Sequence, residues 1–160
     1  MTKALFFDID GTLVSFETHA IPASTIEALT IAHEKGIKIF IATGRPKAII
    51  NNLADIQDRG LIDGYITMNG AYCFVGDEVI YKSAIPAGEV RALAQVCEQK
   101  GYPCIFVGEH TISVCQPNKL VHDIFYDFLH VDEIPVKTFE EAVQEEIFQM
   151  TPFVTVEEET

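Results

Sequence analysis

Basic charge is scarce in this chain: 11 lysines and arginines stand against 24 aspartates and glutamates, a formal net charge of −13 over 160 residues. Binding to a nucleic-acid backbone depends on a basic face that releases counterions, so that partner class is excluded on charge. A phosphate ester would be repelled as well, unless a metal ion or a few placed donors make its site locally positive. Long apolar runs are also missing. Ala4 to Phe7 and Ile37 to Ala42 fall far short of a bilayer span, so no membrane partner is expected. Met1-Thr2-Lys3 leads straight into a strand, without the pattern of a secretory leader. The cysteines, at 73, 97, 104 and 115, form no Cys-x-x-Cys pair. That spacing argues against a soft-ligand metal site and for buried thiols in a reducing cytoplasm, the expected location. Internal repeats and low-complexity tracts are absent too.

What is present suffices for a core, since 48% of the residues are hydrophobic. Lys3 to Ile9 is apolar without alternation until it reaches two carboxylates, as in a parallel strand buried on both faces. Pro22 and the box Ser24-x-x-Glu27 open a predicted helix with Ile26, Leu29 and His33 on one stripe, closed by Gly36. A second apolar strand, Ile37 to Ala42, ends at Thr43-Gly44-Arg45 and leads through Pro46 into a predicted helix with Ile49, Ile50 and Leu53 inward, ended by Gly60. A third strand, Tyr65 to Met68, runs into Asn69-Gly70. Strands joined by two helical crossovers make a doubly wound α/β half. Beyond it, Gly76-Asp77 between two short apolar runs signals a hairpin, and the pattern becomes α+β. A boundary near Ser83 divides the chain into residues 1–83 and 84–160. The second part is expected to hold a helix through Val90, Leu93, Ala94 and Cys97, and strands at Pro103 to Val107 and Thr111 to Cys115. A helix with Val121, Ile124, Phe125 and Phe128 follows, then a strand over Ile147 to Val156 that Pro152 moves to an edge or bulge. Glu157 to Thr160 reads as a solvated helix start.

In open α/β sheets, sites form outside the carboxyl ends of the strands, and Asp8, Asp10, Thr43, Arg45 and Asn69 all fall there. Two carboxylates two residues apart beside Gly11 can offer hard oxygen ligands to Mg²⁺ while one attacks phosphorus. The backbone N–H groups around Ile9, Gly11 and Thr12, with Thr43 and Gly44, can cradle phosphoryl oxygens. Read separately, Asp10-Gly11-Thr12 is a turn, Thr43 a helix cap, Arg45 a surface residue and Asn69 a turn residue. Together, on strand ends one crossover apart, they read as a site, with the planar donors of Arg45 suited to phosphate. The histidines show no ligand spacing, and His33 reads as packed. His19 is retained as a candidate for gating.

Phe6-Phe7-Asp8-Ile9-Asp10-Gly11-Thr12, Ala42-Thr43-Gly44-Arg45 and Met68-Asn69-Gly70-Ala71 resemble the haloacid dehalogenase (HAD) superfamily. The likeness runs along the whole chain and is to its Cof-type sugar-phosphate phosphatases, hexose-phosphate phosphatases in particular. It implies an α/β, Rossmann-like HAD core with three parallel strands present, and an inserted α+β cap of C2 type. Residues 1–83 would be the N-terminal part of the core and 84–160 an incomplete cap, mobile and closing over substrate. Asp8 would be the nucleophile, forming an aspartyl-phosphate. Its carboxylate and the Asp10 carbonyl would bind Mg²⁺, and Asp10 would act as general acid, then base. Thr43 would hold the phosphoryl group. The substrate would be a small-molecule phosphate ester.

Members of the superfamily also carry a lysine after the cap and a second acidic motif on the next core strand. Neither occurs in these 160 residues, since Gly76-Asp77-Glu78 falls in a hairpin and Gly108-Glu109 in the second part. The metal shell is therefore expected to be incomplete, and the strand at Ala4 to Phe7 to leave an apolar edge uncovered. A dimer through that edge, marginal stability, or a fragment of a longer enzyme are the expected consequences. The alternative function is a non-catalytic binding protein that keeps part of the site. A phosphotransfer receiver domain fits less well, because its acceptor lies on a different strand and it carries no cap.

Overall fold

The computed structural model describes residues 2–154. The end of the strand predicted over 147–156 and the segment 157–160 lie outside the described residues. The chain divides into two compact units, Met1–Lys82 and Ser83–Thr160. In the first, β1 (Ala4–Phe7), β2 (Lys38–Ala42), β3 (Gly64–Thr67), β4 (Tyr72–Val75) and β5 (Glu78–Lys82) form one sheet in that order. β1, β2 and β3 run parallel, with Phe6 opposite Phe40 and Phe40 opposite Gly64, while β4 and β5 add an antiparallel hairpin. Gly76, at φ 58°, opens the two-residue turn between Val75 and Glu78. The fold is α/β with a mixed sheet.

The helix α1 (Ala23–Glu34) buries Leu29 against Ile9, Ile39 and Ile41, which puts the core on one face of the parallel strands. β1 departs from the expectation of burial on both sides: Leu5 is 40% and Phe6 58% exposed. Among the described residues only β2 pairs with it, and Phe6 is stacked on Phe40 with ring centroids 5.0 Å apart. The predicted capping box at Ser24 does not form. Pro22 occupies the N-cap, its carbonyl accepting the Thr25 and Ile26 amides, so Ser24 already lies inside the first turn.

The second crossover is not one helix, as the sequence suggested, but a 3₁₀ turn, Lys47–Ile49, and a single-turn α2, Ala54–Gln57. The inward residues Ile49 and Leu53 are still buried, together with Ile56. The backbone leaves the helical region at Ile50, with ψ 90°, and the Ile49 carbonyl accepts Nη1 of Arg45 at 3.0 Å.

The second unit pairs β6 (Cys104–Gly108) antiparallel to β7 (Ile112–Cys115) on one side and β8 (Ile147–Pro152) on the other. Its helix α3 (Ala87–Lys100) buries Val90, Ala94 and Cys97 against Phe106 and Ile147, and Gly101 closes it at φ 71°. Leu93, expected on the stripe, is 38% exposed. After the short α4 (Lys119–Val121), residues His122–Phe128 wind as a π-helix. Its wider turn keeps Val121 and Phe125 inward but carries Phe128 to 50% exposure, where an α-helix would have kept the predicted stripe together. α5 (Phe139–Ala142) carries the capping box that the first helix lacks, between Thr138 and Glu141. No helix among the described residues is long and apolar enough to cross a membrane.

Candidate active site

The loop after β1 is a tight turn hung on one carbonyl. Ile9 accepts the amides of Thr12, Leu13 and Val14 at 3.3, 3.1 and 2.9 Å, and Gly11 donates back to Val14 at 2.9 Å. The Ile9 side chain is fully buried in the core, which pins the segment and leaves the aspartates on either side of it. Gly11 takes φ 78°, which L side chains rarely adopt. The turn's amides bond to the carbonyls of Asp8, Ile9 and Val14, and none to that of Asp10.

The end of β2 is tied to the end of β3. Thr43 donates its amide to Ile66 at 2.9 Å, and its carbonyl accepts the amide of Asn69 at 3.2 Å. The Thr43 hydroxyl oxygen accepts the Arg45 amide at 3.0 Å, leaving its own O–H to donate. Met68 at φ 52°, Asn69 at φ 54° and Gly70 at φ 94° are left-handed in succession. A non-glycine pair in that region is backbone strain of the kind that collects at functional sites. It lays the Asn69 carboxamide over Gly44, where an added Cβ would stand 3.2 Å from Asn69 Oδ1.

A cavity of about 280 Å³ opens at these strand ends, lined by Asp8, Thr43, Gly44 and Asn69 with Ala42, Ile66 and Gly70. Four of the residues singled out in the sequence thus converge. Ile9 serves through its carbonyl, Gly11 and Thr12 shape the exposed turn beside it, and neither those three nor His19 lines the cavity. The lining holds one carboxylate and no basic side chain.

Asp10 and Arg45 do not line the cavity. Arg45 is only 7% exposed, and its guanidinium meets Asp10 edge to edge: Nε donates to Oδ2 and Nη2 to Oδ1, both at 2.8 Å. Four hydrogen bonds, two to Asp10 and one each to Ile49 and Asn51, hold the guanidinium within the fold. Nothing in the sequence marks Met68 as strained, or Phe16 as the ring that stacks over Gly11. In the second unit His122, Asp123 and Asp127 bring ligand atoms within 4.8 Å of one another, but Asp123 is already held by Lys119 at 2.7 Å.

The family model for haloacid dehalogenase-like hydrolases matches residues 5–160. Among solved structures, the HAD subclass IIB sugar phosphatase BT4131 is 76% identical at TM-score 0.94, over 99% of this chain and 61% of its own. BT1666 of Bacteroides thetaiotaomicron, from a study of HAD phosphatases, is 36% identical at TM-score 0.80, over 99% of this chain and 58% of its own. The Bacillus subtilis protein YkrA, provisionally named a phosphatase, is 29% identical over 99% of this chain and 60% of its own length. The chain therefore spans about three fifths of the length of these relatives.

Proposed function

Because this chain belongs to the haloacid dehalogenase-like hydrolases, we propose that it serves Mg²⁺-dependent hydrolysis of small phosphate monoesters, sugar phosphates foremost, through an aspartyl-phosphate on Asp8. The observation that carries the reading is the cavity at the strand ends, where the Asp8 carboxylate faces Thr43, Gly44 and Asn69 across a space suited to a phosphoryl group. The relative at 76% identity is named a sugar phosphatase, which supports the substrate class.

The residues present fit Mg²⁺. The Asp8 carboxylate and the Asp10 carbonyl are hard oxygen donors, and none of the turn's amides bonds to that carbonyl. The Asp10 carboxylate is committed to Arg45, so the side chain of Asp8 and the main chain of Asp10 would hold the ion. When bound, Mg²⁺ supplies the positive charge that a cavity lined by one carboxylate and no basic side chain lacks.

Asp8 attacks phosphorus in line with the leaving oxygen, and Asp10 gives that oxygen a proton. The Thr43 hydroxyl, in the cavity lining, orients the phosphoryl oxygens. Water then attacks the aspartyl-phosphate, passing its proton to Asp10, and the P–O bond to Asp8 breaks to restore the carboxylate.

The test is phosphate release from a panel of hexose and pentose phosphates with Mg²⁺, for the parent and Asp8→Asn. The parent should turn over, and the variant should lose at least about a thousandfold. Release that survives unchanged in Asp8→Asn would remove the nucleophile from the mechanism.

A further inference from the structure

We infer that Arg45 is a positioning residue, which fixes the orientation of the Asp10 carboxylate for the hydrolytic step and does not bind phosphate. The inference rests on the phosphatase reading, in which Asp10 takes a proton from water. Its ground is the pairing itself. Nε to Oδ2 and Nη2 to Oδ1, both at 2.8 Å, form two parallel bonds in one plane, and such a fork sets both the rotation and the tilt of a carboxylate.

The guanidinium is in turn fixed by its surroundings. Nη1 donates to the Ile49 carbonyl at 3.0 Å and to Asn51 Oδ1 at 3.4 Å. The Arg45 amide caps on Thr43 Oγ1 at 3.0 Å, and its carbonyl accepts the Met68 amide at 3.4 Å. One residue thereby joins the turn after β1, the end of β2, the segment after β3 and the interrupted crossover. At 7% side-chain exposure against 30% for Asp10, Arg45 is the fixed partner and the carboxylate the part that remains open to water.

Two of the carboxylate's lone pairs are used by the fork, and each oxygen keeps another. In the second step a water oxygen bonds to phosphorus, its proton passes to one of those lone pairs, and the P–O bond to Asp8 breaks with its electrons returning to Asp8. A carboxylate free to rotate would reach that water less often. Misplacing a catalytic group by about 1 Å costs on the order of a hundredfold. A lysine at 45 would keep the charge but not the plane.

The experiment uses the full chain with Mg²⁺ and 4-nitrophenyl phosphate, whose leaving group departs without needing a proton. Nitrophenol is followed from the first turnover in the parent, Arg45→Lys and Arg45→Met, with circular dichroism to establish the folded fraction. Both variants should show a burst of about one nitrophenol per folded chain, then turnover slowed about ten- to a hundredfold with KM nearly unchanged. Arg45→Lys is the gentler change, so it keeps the test standing if Arg45→Met does not fold. An Arg45→Lys protein that turns over like the parent reduces the pair to a structural ion pair and overturns the inference. A raised KM, with weaker inhibition by inorganic phosphate and kcat kept, overturns it by making Arg45 a phosphate contact. A parent that releases no nitrophenol while bound Mg²⁺ is demonstrable overturns the phosphatase reading itself, a result distinct from the other two.

Discussion

Gly11→Ala tests whether the turn that follows the two aspartates depends on a residue without a side chain. The substitution has two costs that the structure keeps apart. The backbone sits at φ 78°, and holding an L residue there costs about 1 kcal/mol. The new Cβ would also stand 2.5 Å from Cε2 of Phe16, closer than real Cβ atoms come. Phe16 is 54% exposed, so its ring can swing toward solvent, and this second cost falls at the low end of overpacking, about 1 kcal/mol. The gain from a stiffer unfolded chain, about 0.5 kcal/mol where the backbone is compatible, is not available at this φ. The expected loss is about 2 kcal/mol, read from urea unfolding followed by circular dichroism. The same substitution in a Phe16→Ala background removes the collision and leaves the strain, so the loss there should shrink to about 1 kcal/mol. Equal stability of Gly11→Ala and parent would refute the strain argument, and equal losses in the two backgrounds would refute the collision.

Asp63 gives a pH signature. Burial pushes its carboxyl up, but the hydrogen bond from Lys38 at 2.6 Å, the Ile39 amide at 2.8 Å and the Lys38 charge outweigh that and hold it below the ordinary value. A carboxyl depressed on folding stabilises above its unfolded pKa of about 3.9, and that contribution drains away as pH falls through the folded value. Asp63→Asn should therefore cost about 1 kcal/mol at pH 7 and flatten the acid limb of the stability curve; a midpoint shift that is the same at pH 7 and pH 3 would contradict it. The thiols make the other prediction. Burial pushes Cys104 far up and Cys115 up to about 11, and both are fully buried, whereas Cys73 is half-buried. Iodoacetamide followed by mass spectrometry should label Cys73 in the native protein and the other two only in denaturant; native labelling of Cys104 at the rate of Cys73 would show that β6 opens.

The parallel half of the sheet and the hairpin after it were legible in the sequence because each is written in local chemistry. A continuous apolar run gave β2, the short segment before Asn69-Gly70 gave β3, and Gly76-Asp77 gave the turn from β4 to β5. The convergence of Asp8, Thr43 and Asn69 on one cavity was legible too, since strand polarity alone brings their positions to the same end. What was not legible depends on partners distant in sequence. The exposure of Phe6 depends on what lies across the sheet face, which a run of apolar letters does not encode. The π-helix at His122–Phe128 changes the period on which the stripe through Phe128 was reasoned. The left-handed Met68 carries no signal, because methionine is not a residue that favours that conformation.

Arg45 shows how much of a residue's role its position and type leave open. At the end of β2, in an acidic chain that needs positive charge near a phosphate, it was the obvious candidate to supply it. Yet the same lack of basic residues leaves Asp10 without any other cation among the described hydrogen bonds and ion pairs, and the fold spends its well-placed arginine there. One turn later Nη1 donates to the Ile49 carbonyl at 3.0 Å, at the end of the 3₁₀ turn and before α2. The guanidinium therefore links the Asp10 carboxylate to the irregular second crossover, and a substitution at Arg45 should be felt at both.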